Sequence, residues 1–153
     1  MSPINIRPAR PEDLDTLVDF NAAMAVETEE LVLDRARLRE GVAQLLGDRA
    51  KGQYRVAERQ GLVVGALMLT REWSDWRCGD WWWIQSVYVR PEARRGGVFR
   101  ALYESVEREA RARTDVCGLR LYVERDNARA QATYAALGME ETHYRLFEAS
   151  TRL

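Results

Sequence analysis

Cross-linking and metal-binding residues are scarce in this sequence. Its two cysteines, Cys78 and Cys117, stand 39 residues apart with no CxxC pair and a single histidine in the whole chain. That spacing excludes a disulfide scaffold and a zinc site, and each thiol reads as a small buried or half-buried side chain. No apolar run approaches the roughly 20 residues that cross a bilayer. The opening MSPINIRPARPEDLD alternates apolar and polar residues and lacks the apolar stretch of a signal peptide, so the expectation is a cytoplasmic protein without membrane contact. Charge of one sign is missing as well: 23 basic residues meet 24 acidic ones, for a net charge of -1. No global field recruits nucleic acid or an anionic surface. Neither GxxxxGK[ST] nor the GxGxxG spacing occurs, which disfavours a nucleoside triphosphatase and a dinucleotide fold.

What remains is an ordinary core-forming chain. With 153 residues and 46% hydrophobic content, it is long enough for one domain, residues 1–153, and short for two. Ile4 and Ile6 alternate with polar neighbours and lead into RPARP, a short strand and a turn. Glu12 and Asp13 open a helix whose stripe runs through Leu14, Leu17, Val18 and the Phe20 to Met24 region. A second helix starts at Asp34 as cap, carries Leu38, Val42, Leu45 and Leu46 at helical spacing, and is closed by Gly47 and Gly52. From Tyr54 the period changes to two. YRVAER, GLVVGALMLTRE and WWWIQSVYV read as three consecutive antiparallel strands at the sheet centre. Residues 97–113 return to helix, with Val98, Leu102, Val106 and Ala110 on one face and Glu104, Glu107 and Glu109 each four residues before an arginine, a solvated charged face. LRLYV at 119–123 reads as a strand, NARAQATYAAL as a short helix ended by Gly138, and HYRLF as a last strand.

One segment suits an anion. A strand ending at Val89 runs through Arg90 and Pro91 to Arg94, Arg95, Gly96 and Gly97, followed at once by helix. A helix start offers unpaired N–H groups and about half a positive charge, glycines admit a phosphate to the backbone, and arginines add forked donors. A glycine turn with solvated arginines is the plain alternative.

The element order and the residues RRGGVF resemble the GNAT acetyltransferase superfamily, whose [Q/R]xxGx[G/A] loop between a strand and a helix binds the pyrophosphate of acetyl-coenzyme A. Arg94 matches the first position and Gly97 the central glycine, while Phe99 replaces the small last residue, so its ring must turn away from the phosphate. The opening IRPARPEDLDTL and the later NARAQATYAALGM are similar to further family segments. The resemblance implies a mixed α/β fold with a mostly antiparallel twisted sheet of about six or seven strands and about four helices. It implies acetyl-coenzyme A as co-substrate, no metal, a small-molecule or peptide amine as acceptor, and coenzyme contacts from Arg94, Arg95, Gly96, Gly97, Val98 and Phe99. By the same analogy Val87 and Val89 present backbone groups to the pantetheine arm, and the Val87 N–H stabilises the developing oxyanion.

Asn127, Ala130, Gln131 and Tyr134 share one face of the short helix. Taken alone, Tyr134 is a packing residue and Asn127 a helix cap. The resemblance gives Tyr134 a second role, protonation of the departing thiolate, and Asn127 a bond to pantetheine. Some members carry a glutamate base on the central strand; this chain has Trp83, Ile84 and Gln85 there, leaving Glu72 and Glu124 at strand ends as substitutes. Five tryptophans fall between residues 73 and 83. Alternation sends Trp82 and Trp83 to opposite faces, so one belongs to the core, and Trp73 and Trp82 are candidate walls for the acceptor, with plain packing or a subunit interface as the alternatives. Glu27, Glu29 and Glu30 lie between the first two helices and are placed to meet a cation, with a solvated acidic turn as the alternative. Two other functions stay open: a coenzyme A-binding regulatory domain without turnover, and an interaction module that docks a partner on the tryptophan hairpin. A dimer is common in the resembled family.

Overall fold

The structure, a computed structural model, describes residues 2–152. The chain divides into two compact units, Met1–Leu121 and Tyr122–Leu153.

The first unit is built on a five-stranded sheet in sequence order: β1 (Asn5–Pro8), β2 (Gln53–Arg59), β3 (Leu62–Ser74), β4 (Gly79–Val89) and β5 (Val116–Arg120). Successive strands pair antiparallel until β4, which pairs parallel with β5. The β2–β3 connection is the two-residue turn Gln60–Gly61 with φ of 53° and 77°. Positive φ at both positions is the turn whose twist matches that of the flanking strands. Parallel pairing of β4 with β5 needs a crossover, and α3 (Val98–Arg111) supplies it.

Two helices, α1 (Leu14–Glu29) and α2 (Arg35–Gly47), cover one sheet face, packing Leu17, Val18, Phe20 and Val42 against Tyr54, Val56, Val63, Ala66 and Tyr88. The expected cap forms at α2, where the Asp34 carboxylate accepts the N–H groups of Ala36 and Arg37. On the opposite face α3 buries Val98, Leu102, Val106 and Ala110, the stripe read from the sequence. Burial of each of the larger aliphatic side chains contributes about 1.5–3 kcal/mol. Gly65 of β3 is the point of closest approach: a Cβ there would lie 2.7 Å from Val98 Cγ1.

Several expectations are corrected. The α-helical part of α1 begins at Leu14 after a 3-10 turn at Pro11–Asp13, and Asp13 is buried. Its carboxylate accepts bonds from Arg7 Nη1 and Nη2 at 2.8 and 3.0 Å and from the Arg10 N–H at 2.7 Å. The Arg7 guanidinium holds that carboxyl below the ordinary range. The charged face of α3 is only partly solvated, because Glu109 pairs with the buried Arg55 of β2 at 2.6 Å. β5 lies at Val116–Arg120, three residues ahead of the expected LRLYV, since its register is set by Asp80–Trp83 of β4.

The second unit contains α4 (Ala128–Ala136), capped by Asn127, whose Oδ1 accepts the Ala130 N–H at 3.1 Å. Gly138 at φ 94° ends it. Residues 143–147 form no strand; HYRLF has strand alternation, but a strand also requires a ladder partner, and Phe147 is 89% exposed. Five strands and four α-helices are therefore found among the described residues.

Candidate functional site

The site is organised by an irregularity in β4. Opposite β3, Tyr88 pairs with Ala66 and Gln85 with Met68, so two residues of β4, Ser86 and Val87, face the single Leu67. Ser86 takes φ 50°, and the extra residue makes a bulge that bends the strand. Pairing with β5 covers Asp80–Trp83, which leaves Ile84–Val89 without a ladder partner on that side among the described residues. The Arg90 N–H donates to Val64 C=O at 2.8 Å. By the alternation of an antiparallel ladder, the Val89 backbone groups then point away from β3, and so do those of Val87 two residues earlier.

Beyond β4 the chain makes a 3-10 turn at Pro91–Ala93 and reaches Arg94, Arg95, Gly96 and Gly97 before α3. Arg95 and Gly97 are left-handed, with φ of 65° and 79°, and no side chain caps α3. Successive turns of this kind aim backbone N–H groups into a concavity at the positive end of a helix, a receptor for an anion. Arg94 fastens the loop to its surroundings. Its Nε donates to Val89 C=O at 2.9 Å, and its Nη2 donates to Glu27 Oε2 at 2.8 Å. The Tyr88 hydroxyl donates to Glu27 Oε1 at 3.1 Å, and the Arg94 guanidinium lies 5.3 Å from the Tyr88 ring. Burial, and then the bond to Glu27, push the Tyr88 phenol upward.

The acetyltransferase (GNAT) family model matches residues 18–139, a span that includes β4, the loop and α4. This chain belongs to the GNAT acetyltransferase family. It is similar to a possible acetyltransferase from Clostridium difficile 630, at 45% identity over 98% of this chain and 99% of that one, with a TM-score of 0.93. Two more distant structures share the fold. A ribosomal-protein-alanine N-acetyltransferase from Brucella melitensis biovar Abortus 2308 has 17% identity and a TM-score of 0.79, covering 98% of this chain and 100% of that one. A predicted acetyltransferase from Clostridium acetobutylicum, solved with acetyl-CoA, has 16% identity and a TM-score of 0.76, covering 96% of each chain. No curated protein matches the sequence.

Within the first unit of this GNAT chain, Glu27, Trp73, Trp82 and Glu72 do not form one constellation. Glu27 lies in the last turn of α1 and not in the connection after it, and both its oxygens are taken by Arg94 and Tyr88. Trp73 is seven residues along β3 from the partner of Tyr88, about 23 Å at strand rise, so Glu27 and Trp73 do not face one acceptor. Trp82 is the core tryptophan, 4% exposed, and lines no open wall. Glu72 accepts from Trp83 Nε1 at 2.8 Å and from Arg120 Nη1 at 3.1 Å, an engagement that competes with any work as a base. The Phe99 ring lies 6.2 Å from that of Tyr103, one turn along α3. Val98 is buried under Gly65 and presents only its backbone to the loop.

In the second unit, Glu124 is exposed, and its carbonyl accepts the Asn127 N–H at 3.0 Å. Asn127 is the cap of α4, and Tyr134 is half-buried, with its phenol pushed upward by burial. Among the described residues no group of three or more His, Cys, Asp or Glu is arranged to hold a metal ion, and no helix is long and apolar enough to cross a membrane. Three residues with a part in this region escaped the sequence reading: Ser86, Gly65 and Arg59. A glycine inside a strand signals close backbone approach, so Gly65 was legible; Ser86 and Arg59 carry no such mark.

Proposed function

We propose that this protein is an N-acetyltransferase that moves an acetyl group from acetyl-coenzyme A to a primary amine by direct attack, with both substrates bound together. The observation that carries the proposal is the unpaired outer edge of β4 running straight into the Arg94–Gly97 loop at the start of α3. An edge of free amides suits a pantetheine arm, and the glycine loop suits the pyrophosphate attached to it. Arg94, Arg95 and the backbone of Gly96 to Phe99 hold the phosphates in this reading, and Val87 and Val89 receive the arm. Because the Val89 carbonyl already accepts from Arg94, its N–H is the group left for the ligand.

As the amine attacks the thioester carbon, a C–N bond forms, the C–S bond breaks, and charge gathers on the carbonyl oxygen. The Val87 N–H is assigned to that oxygen. Tyr134 is assigned the proton for the departing sulfur, a transfer that requires little tuning between a phenol and an alkyl thiolate. The ammonium proton leaves through water to Glu124 or, if its ion pair opens, to Glu72. The clasp on Glu27 removes it from the acceptor side of the proposal. A single catalytic domain formed by the whole chain, working in the cytoplasm as a homodimer, completes the reading.

The test is thermal unfolding with and without coenzyme A, in wild type and Gly97→Glu. At a hundredfold excess over the dissociation constant, binding stabilises by about 2.7 kcal/mol, and a carboxylate at position 97 abolishes the gain. Equal responses of the two proteins overturn the loop assignment. Release of free thiol with an amine panel then separates an enzyme from a regulatory coenzyme-binding domain.

A further inference from the structure

Arg59 ends β2 and reaches under the glycine loop. Its Nη2 donates to Gly96 C=O at 3.4 Å, and Nη1 and Nη2 lie 3.6 and 3.7 Å from where a Cβ on Gly96 would sit. Its Nε is buried and has no partner. Arg55, on the same strand, is neutralised by Glu109. Arg59 has no carboxylate within ion-pair distance among the described residues. A half-buried cation with an orphaned donor is costly, and this chain keeps one directly behind the loop.

The cost has a use in the peptide that joins Gly96 to Gly97. Flanked by two glycines, this peptide plane rotates with little steric resistance. In a planar trans peptide the C=O of Gly96 and the N–H of Gly97 point in opposite directions. A donor that holds the carbonyl toward β2 therefore turns the N–H out toward an anion.

We infer that Arg59 is a positioning residue for the phosphate loop. It fixes the Gly96–Gly97 peptide with its N–H outward, and it adds an uncompensated positive charge behind the site. The inference rests on the coenzyme reading above and names the part of the ligand concerned, the phosphates and not the thioester arm.

The experiment compares two acyl donors, acetyl-coenzyme A and S-acetylpantetheine, which lacks the pyrophosphate. Coenzyme A affinity is measured alongside by calorimetry. Arg59→Gln is expected to weaken coenzyme A by about tenfold or more, the scale of one bond from a charged donor. It should lower kcat/KM for acetyl-coenzyme A to match, and leave kcat/KM for S-acetylpantetheine unchanged. Arg59→Lys keeps the charge without the fork and falls between the two. A general loss of structure would lower both donors by the same factor, and that result, or no change in either, overturns the inference. Should Arg59→Gln fail to fold, the same comparison on Arg59→Lys decides: a loss confined to acetyl-coenzyme A supports the role, and a shared loss or none removes it. Wild type that binds no coenzyme A overturns the functional proposal itself, and the inference with it.

Discussion

Replacing Gly65 by alanine places one methyl group between the sheet and the start of α3. The new Cβ would stand 2.7 Å from Val98 Cγ1 and 3.2 Å from the Tyr88 carbonyl oxygen. Carbon atoms rest at about 3.5–4.0 Å, so roughly 1 Å of room is missing. Val98 cannot swing aside: it is buried, it is the first residue of α3, and its branched Cβ leaves few rotamers. The helix start must move. Overpacking of this kind costs about 1–3 kcal/mol, and the gain from removing a strand glycine returns about 0.5–1 kcal/mol. The net loss is then at most about 2.5 kcal/mol, a fall in Tm of up to about 10 °C for a chain of this size. Gly97 immediately precedes Val98, so the same shift displaces the loop amides and weakens coenzyme A by about tenfold or more. Thermal unfolding and a coenzyme A titration measure the two effects. Val98→Ala in the Gly65→Ala background removes the colliding Cγ1 and should recover most of the coenzyme affinity. Wild-type Tm and affinity in Gly65→Ala would show that α3 does not rest on β3 as described.

Asp13→Asn strips Arg7 of its bidentate partner in a nearly buried pair, and urea unfolding should show a loss of about 3 kcal/mol. Asp13 has a lowered folded pKa, so the unfolded chain takes up the proton first on acidification. Its contribution is complete above the ordinary value of 3.8 and disappears as pH falls below it; the mutant should lose less stability across that window. Tyr134→Phe should slow turnover by about 10² to 10⁴ while coenzyme affinity stays within a few-fold. Burial raises the Tyr134 pKa above its ordinary 10.0, so the wild-type rate should not fall through loss of this proton below that pH. An unchanged turnover, under conditions where chemistry limits the rate, returns Tyr134 to packing.

Local periodicity carried much of this fold. The stripe Val98, Leu102, Val106 and Ala110, the Asp34 cap and the change to period two at Tyr54 can all be read from neighbours within a few positions, because burial and capping act over that range. Partners distant in sequence were not readable. Glu27 looked like a free carboxylate because Arg94, 67 residues away, leaves no trace beside it. Glu72 looked free for the same reason. Alternation showed that Trp82 and Trp83 part company but not which faced the core, since that depends on the helix laid over each face. HYRLF shows the converse: it has the pattern of a strand and lacks a neighbour to complete one. The loop was legible because its chemistry is contiguous, whereas Arg59 reaches it from another strand.

The bulge in β4 also sets where this chain tolerates a change of length. Ile84 stands opposite Leu69, on the side of Gly65 and α3, while Tyr88 stands opposite Ala66, on the side of α1. In a regular strand residues four apart share a side; here the extra residue works as a frameshift, and the two halves of β4 are read in different phases. Loss of Ser86 would put the halves back in one frame. Either Tyr88 would turn away from Phe20 and Glu27, or Trp82 and Ile84 would leave the layer beneath α3. A residue lost from the turn at 75–78 would shorten a hairpin and leave both frames intact. The central strand of the acetyltransferase is therefore intolerant of a deletion that its exposed tip can absorb, although the two positions are barely ten residues apart.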